Sequence, residues 1–171
     1  MGLVHLYCGN GKGKTTAAVG LAVRCAGAGG RVVFAQFFKD GSSAELNVLR
    51  ALPGVKVLVC PVKYGFFKNM TEEKKAAAKA DYTALLESAL EAAGEAELLV
   101  LDEAVSACNH GVIPEQRLLR FLEGKPEGLE VAVTGREPSG ALQEAADYIT
   151  EMVKRRHPFD RGIPARKGIE F

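Results

Sequence analysis

The sequence has no apolar run approaching the roughly 20 residues that a membrane-spanning helix needs, and no charged-then-apolar leader ahead of its first apolar stretch. It also has no charge imbalance. Its 22 Lys and Arg against 21 Asp and Glu leave a net charge of +1, so nothing in the electrostatics requires nucleic acid or an anionic membrane as a partner. The four cysteines, Cys8, Cys25, Cys60 and Cys108, lie far apart without a C-x-x-C pair. That spacing does not suit a zinc site, and they read as reduced thiols of a cytoplasmic protein. Internal repeats, linkers and low-complexity segments are missing as well, so residues 1–171 are expected to form one domain, long enough to bury a core without staples.

What is present is concentrated near the start. An apolar strand over residues 3–7 runs into Gly9, Asn10, Gly11, Lys12, Gly13, Lys14, Thr15 and Thr16, and then into an alanine-rich helix over residues 15–28. A glycine-rich turn lets successive backbone N–H groups approach phosphate oxygens with no Cβ in the way, and the following helix adds its positive end. Lys14 is spaced to neutralise phosphate charge and Thr15 to ligate the magnesium of a nucleoside triphosphate. Against G-x-x-x-x-G-K-[ST], only the first glycine position departs, being Cys8. A Gly-rich turn with accidental lysines is the bland alternative, and the strand before and helix after argue against it.

Further along, apolar segments at 32–38, 55–59, 97–103, 129–133 and 148–152 read as strands. Helices are expected at 44–52, from the N-cap Thr71 to Ala93, at 114–122 and at 138–146. Tyr82, Leu85, Leu86, Ala89, Leu90 and Ala93 give the third of the five expected helices the clearest apolar stripe. Between them, residues 63–70 hold four large apolar or aromatic groups in a loop-like setting, and the tail from residue 154 is basic and loop-like. Strands alternating with helices imply a P-loop NTPase-like α/β fold: three layers, a mostly parallel sheet of about six strands, and helices on both faces. Ligands in such folds bind at the carboxyl ends of the strands. That edge collects the glycine-rich loop, the aromatic loop, Asp102 and Glu103, and Thr134-Gly135-Arg136.

Asp102 and Glu103 at a strand tip resemble a Walker B pair, which with Thr15 would hold magnesium; a helix-capping role is the plain alternative. Arg136 sits at a strand end from which a phosphate is within reach, with an ordinary solvated or structural arginine as the plain alternative. An Arg-rich lid of the small-molecule kinase kind and the switch motifs of a GTPase are not visible. His110 and His157 stand isolated in loops, where neither metal ligation nor proton transfer is the default, and His5 reads as structural. These motifs imply ATP and magnesium without naming an acceptor.

The whole pattern resembles the P-loop type of ATP:corrinoid adenosyltransferases of the bacterial cobalamin pathway. The resemblance rests on GNGKGKTTAA at residues 9–18, Gln36-Phe37-Phe38-Lys39, Gly65-Phe66, LDE at 101–103, Thr134-Gly135-Arg136, and the ending HPFDRGIPARKGIEF from His157. A cysteine or threonine before GNGKGKTT is usual in that family, so Cys8 fits. The resemblance implies transfer of the 5′-deoxyadenosyl group of ATP to the Co(I) centre of a reduced corrinoid, with release of triphosphate. Co(I) is itself the nucleophile, in keeping with a sequence that offers no catalytic triad or dyad.

By the same resemblance, Gly9 to Thr16 wrap a triphosphate bound in reversed orientation, with Lys14 and Thr15 central. Thr15 and Glu103 hold magnesium, and Phe66 packs beside the corrin ring to exclude its lower axial ligand. A flavoprotein reductant and a homodimer are implied too. The rivals are an ATP-hydrolysing P-loop enzyme, a small-molecule kinase, and a nucleotide- or corrinoid-binding protein without transfer activity. Two departures from the family stand out. Better-known members carry a tryptophan two residues after Phe66, where this chain has Lys68 and no tryptophan at all, leaving Phe67 and Tyr64 as candidates. They also carry an extension before the first strand that covers the corrinoid site from the partner subunit, whereas the strand here begins at Leu3; the site is then either more open or covered by another segment.

Overall fold

The computed structural model describes residues 1–39, 41–65 and 67–170. Its sheet has six strands: β1 (Val4–Cys8), β2 (Val32–Gln36), β3 (Val55–Val59), β4 (Leu98–Asp102), β5 (Glu130–Thr134) and β6 (Tyr148–Glu151). They lie in the order β3-β2-β4-β5-β1-β6, and every pair is parallel. The mostly parallel sheet expected from the sequence is therefore wholly parallel. Strands β2 and β4 are buried at all five positions, the pattern of inner strands covered on both faces.

Among the described residues six α-helices complete the layers: α1 (Lys14–Gly27), α2 (Glu45–Ala51), α3 (Glu72–Ala92), α4 (Ala104–Asn109), α5 (Glu115–Gly124) and α6 (Gly140–Glu144). Alternation along each strand assigns the two faces. Val32, Phe34, Leu98 and Val100 pack with Ala18 and Ala22 of α1 and with Leu46 and Leu49 of α2. Val33, Ala35, Leu99 and Leu101 pack with α3, α4, α5 and α6 on the other side. Of the apolar stripe expected on α3, Tyr82, Leu85, Leu86, Ala89 and Leu90 are buried, and Ala93 is buried just past its end. Thr71 caps this helix, its hydroxyl accepting from the Lys74 N–H.

Helix α1 packs against the sheet through a single i, i+4, i+8 stripe, Lys14, Ala18 and Ala22, while Val23 is 43% exposed. Alanine has too little surface to mark a face, so the alanine-rich sequence does not show which side of this helix packs. One helix was missed. Helix α4 follows the tip of β4 directly and was not expected, because a six-residue helix contributes less than two turns of periodicity.

The register brings the site together. Gln36 lies opposite Asp102, and Tyr7 opposite Thr134, so the tips of β1, β2, β4 and β5 end at one level.

Candidate nucleotide site

Between β1 and α1 the chain takes positive φ at Gly9 (96°) and at Gly13 (118°), a region in which a Cβ is strained. Gly13 precedes α1, and its carbonyl accepts the Ala17 N–H at 2.8 Å, opening the helix. Gly9 and Gly11 are required for a further reason: a Cβ on either would lie 2.6 Å from the Met152 carbonyl oxygen. That oxygen accepts the Gly11 N–H at 2.6 Å, and Asn10 Oδ1 accepts the Lys154 N–H at 2.8 Å. The first half of the loop is thus fastened to the chain leaving β6. The sequence alone suggested that all of the loop's backbone donors face a ligand, but the Gly11 N–H is committed to this strap, as is the side-chain amide oxygen of Asn10 as an acceptor.

Lys14 is 7% exposed, and its ammonium donates at 2.8 Å to the carbonyls of both Gly9 and Gly11. Burial pushes its pKa down from the usual lysine value; the nearby Glu103 carboxylate opposes that shift and Arg136 adds to it. Lys12 and Thr16 are exposed at the loop's outer side.

Asp102 is wholly buried at the tip of β4. Its Oδ1 accepts from Thr15 Oγ1 at 2.9 Å and Thr134 Oγ1 at 2.8 Å, and its Oδ2 from Gln36 Nε2 at 3.0 Å and Lys39 Nζ at 3.3 Å. Thr134 Oγ1 in turn accepts the Glu103 N–H at 2.9 Å, linking the strand tip to the turn beyond it. Glu103 sits in the left-handed region (φ 60°) and accepts from Ser106 Oγ at 2.6 Å. Glu103 stands at the N-cap position of α4, but its side chain makes no capping hydrogen bond. Gly135 lets α4 approach, since a Cβ there would come 2.6 Å from Val105 Cβ.

Gln36, Lys39 and Thr134 were marked in the sequence only as family signatures, with no role. The available signal was a polar residue ending an otherwise apolar strand, as Gln36 and Thr134 do for β2 and β5.

Beside this polar cluster lies an aromatic one. Phe38 meets Tyr82 (5.2 Å between centroids, 70°) and His110 (5.4 Å, 77°) edge on, and Phe67 meets His110 at 5.2 Å and 78°. Lys75 stands 5.7 Å over the Phe67 ring. Tyr64 donates to Asp81, and this bond pushes its pKa up to about 12. A cavity of about 430 Å³ opens here, lined by Phe38, Lys39, Tyr64, Gly65 and Tyr82 among others. Phe66 lies outside the described residues. His110 Nδ1 faces the Ser106 carbonyl at 2.8 Å and must be its donor, whereas His157 Nδ1 accepts the Phe159 N–H. His5 pairs with Glu130 and stacks on Tyr148, the structural role expected. Among the described residues no helix is long and apolar enough to cross a membrane.

A glycine-rich loop between strand and helix, its threonine bonded to an aspartate on a strand one removed in the sheet, defines a P-loop nucleotide-binding α/β protein. A solved structure described as the cytoplasmic domain of EssC shares the fold, at TM-score 0.55 and 17% identity over 99% of this chain and 37% of that one. A family model described as ATP:corrinoid adenosyltransferase BtuR/CobO/CobP matches residues 1–171. A corrinoid adenosyltransferase of Pseudomonas aeruginosa is 35% identical over 99% of this chain and 84% of its own length. One from Escherichia coli K12 is 30% identical, covering 99% and 86%, and the Salmonella typhimurium LT2 corrinoid adenosyltransferase CobA gives 30%, 99% and 86%. The chain belongs to the ATP:corrinoid adenosyltransferase family, a family of transferases of cobalamin biosynthesis. The hydrolase, kinase and transfer-inactive alternatives are not favoured.

Proposed function

We propose that this chain transfers the 5′-deoxyadenosyl group of ATP to the Co(I) of a reduced corrinoid and releases inorganic triphosphate. The observation that carries the reading is the meeting of Lys14 and Thr15 with Asp102 and Glu103 at one sheet edge, beside an aromatic-lined cavity. The cobalt attacks the ribose C5′, the C5′–oxygen bond breaks, and the electron pair leaves on the triphosphate. The protein's part is to align the reactants and to meet the charge that develops on the leaving group. Lys14, held at the loop mouth, and Arg136 beside it would meet that charge, with the backbone N–H groups of Gly13, Lys14, Thr15 and Thr16.

Magnesium fits the donor set. Thr15, Asp102 and Glu103 offer hard oxygens, and no group of three His, Cys, Asp or Glu able to hold a metal occurs among the described residues. That suits an ion held by one or two protein oxygens, water and substrate phosphates. Gln36 adds to the fit. Its Nε2 faces the carboxylates of Asp102 and Glu45, which fixes the amide's orientation, and its buried Oε1 has no partner among the described residues, an acceptor suited to a metal-bound water. Thr15 and Glu103 would be the nearer ligands, with Asp102 orienting Thr15. When bound, magnesium would offset charge on the triphosphate.

Phe66, with Phe67 or Tyr64 standing in for the family's tryptophan, would face the corrin ring. A flavoprotein would deliver the reduced corrinoid, and the protein would act in the cytoplasm as a homodimer. The test is anaerobic: magnesium ATP and chemically reduced cobalamin, with absorbance following the light-sensitive cobalt–carbon product and the phosphate species identified. Adenosylated product with equimolar triphosphate is expected; ADP, orthophosphate or no product would overturn the reading.

A further inference from the structure

Lys39 is carried to its position by a strained turn. The Phe37 N–H still bonds the Asp102 carbonyl at 2.9 Å, one residue beyond β2, but Phe38 then takes φ 56°, a conformation that a bulky residue resists. The reversal brings Lys39 back over the strand tips. Its ammonium lies 3.3 Å from Asp102 Oδ2, 3.4 Å from Thr15 Oγ1 and 3.7 Å from Glu45 Oε1. Asp102 is wholly buried, while the Lys39 side chain is 32% exposed and lines the 430 Å³ cavity. The carboxylate is thus fixed, and its counter-ion has open space to move into.

Thr15 and Asp102 belong to the oxygen cluster assigned above to magnesium, and the inference rests on that assignment. A lysine ammonium and a divalent ion at the same oxygens repel strongly, so the two cannot share them. We propose that Lys39 is an exchangeable counter-ion of Asp102, occupying the metal's side of the carboxylate in the nucleotide-free protein and yielding it when a nucleoside triphosphate arrives. An unpaired buried carboxylate would be costly, and Lys39 removes that cost while the site waits. A bound triphosphate offers the displaced ammonium new oxygens, so metal and nucleotide enter together. Without nucleotide, the metal must evict Lys39 with only Glu45 and solvent to receive it, and binds weakly. Lys39 is on this account a positioning residue that couples metal binding to nucleotide binding.

The test uses Mn²⁺ in place of magnesium on the full chain, with water-proton relaxation separating protein-bound Mn²⁺ from free ion and from MnATP. Without nucleotide, Lys39→Met and Lys39→Gln should each bind Mn²⁺ about tenfold more tightly than the unaltered protein, as removal of a facing positive charge requires. Lys39→Arg should stay at the unaltered value. With ATP present the difference should shrink severalfold, and Thr15→Ala should lose the protein-bound signal. A gain in affinity cannot come from a damaged fold. Unchanged or weaker nucleotide-free binding in both neutral variants, with the ATP-dependent signal intact and sensitive to Thr15→Ala, would overturn the exchange role alone. An ATP-dependent signal that ignores Thr15→Ala would overturn the metal site itself, and the inference with it.

Discussion

Two clusters share the strand-end edge, and they are held together differently. Around Asp102, four side chains converge on one wholly buried carboxylate at 2.8–3.3 Å, and Thr134 passes the connection on to the Glu103 backbone. Around Phe38, the rings of Tyr82, His110 and Phe67 meet at centroid distances of 5.2–6.4 Å beside a cavity of about 430 Å³. Hydrogen bonds are directional, and a buried unpaired partner costs about 1–3 kcal/mol, so the uncharged partners of Asp102 in the first cluster, Thr15, Thr134 and Gln36, tolerate little displacement. Ring contacts are worth about 0.5–1.5 kcal/mol each over a range of geometries, so the second can rearrange. A charged leaving group calls for fixed donors, whereas a large planar ring calls for an apolar surface that adapts.

The sharpest way to break this contrast is at Lys14. Replacement by Ala removes the ammonium from the loop mouth and should lower adenosyl transfer by at least about a hundredfold, in line with loss of a charge-stabilising donor, with secondary structure by circular dichroism unchanged. Activity near that of the unaltered protein would remove the loop from the mechanism.

Next in size is a pair of glycines. Gly11→Ala drives a Cβ to 2.6 Å from the Met152 carbonyl and should cost about 1–3 kcal/mol of unfolding free energy as an overpacked contact. Gly65→Ala, in the aromatic loop, meets nothing within 4 Å among the described residues and should cost only about 1 kcal/mol, for its positive φ. Chemical denaturation of the two variants compares them directly, and equal costs would mean that the strap across the loop is not rigid.

The smallest expected effect concerns Tyr64. Its phenol pKa is raised above the ordinary value of 10.0 to about 12, first by the hydrogen bond to Asp81. Because the folded value exceeds the unfolded one, the contribution is fully present below about pH 10 and is lost as pH rises through about 12. Asp81→Asn should therefore move Tyr64 down towards 10 in the ultraviolet titration and shift Tyr82 much less, because burial is the first cause of its high value and the Asp81 charge only a lesser one. A titration identical in the variant would show that the bond does not control Tyr64.

Much of the polar cluster was legible in the sequence. Gly13, Lys14 and Thr15 follow a strand at a fixed spacing, Asp102 and Glu103 end another, and strand tips in a parallel sheet must share an edge. The resemblance singled out Glu103 with Thr15 for magnesium, but the different surroundings of the two carboxylates came from the fold: Asp102 is buried against Thr15, Thr134, Gln36 and Lys39, and Glu103, itself left-handed, turns towards Ser106. The aromatic loop was legible only as an excess of apolar surface, because which rings meet depends on α3 and α4 arriving from distant parts of the chain.

By itself, the sequence determined the alternation of strands and helices, the loop that opens the site and the family to which the chain belongs. The first two depend on local spacing and on apolar periodicity, which neighbouring residues carry between them; the family rests on its motifs and on the match over the whole chain. Only the tertiary structure decided that Gly9 and Gly11 yield to the chain beyond β6, that Thr134 links two carboxylate-bearing residues, and that Lys39 faces Asp102 across a strained turn. Each of these joins residues far apart in sequence, and the distances that govern sterics and charge exist only once the sheet has set its register.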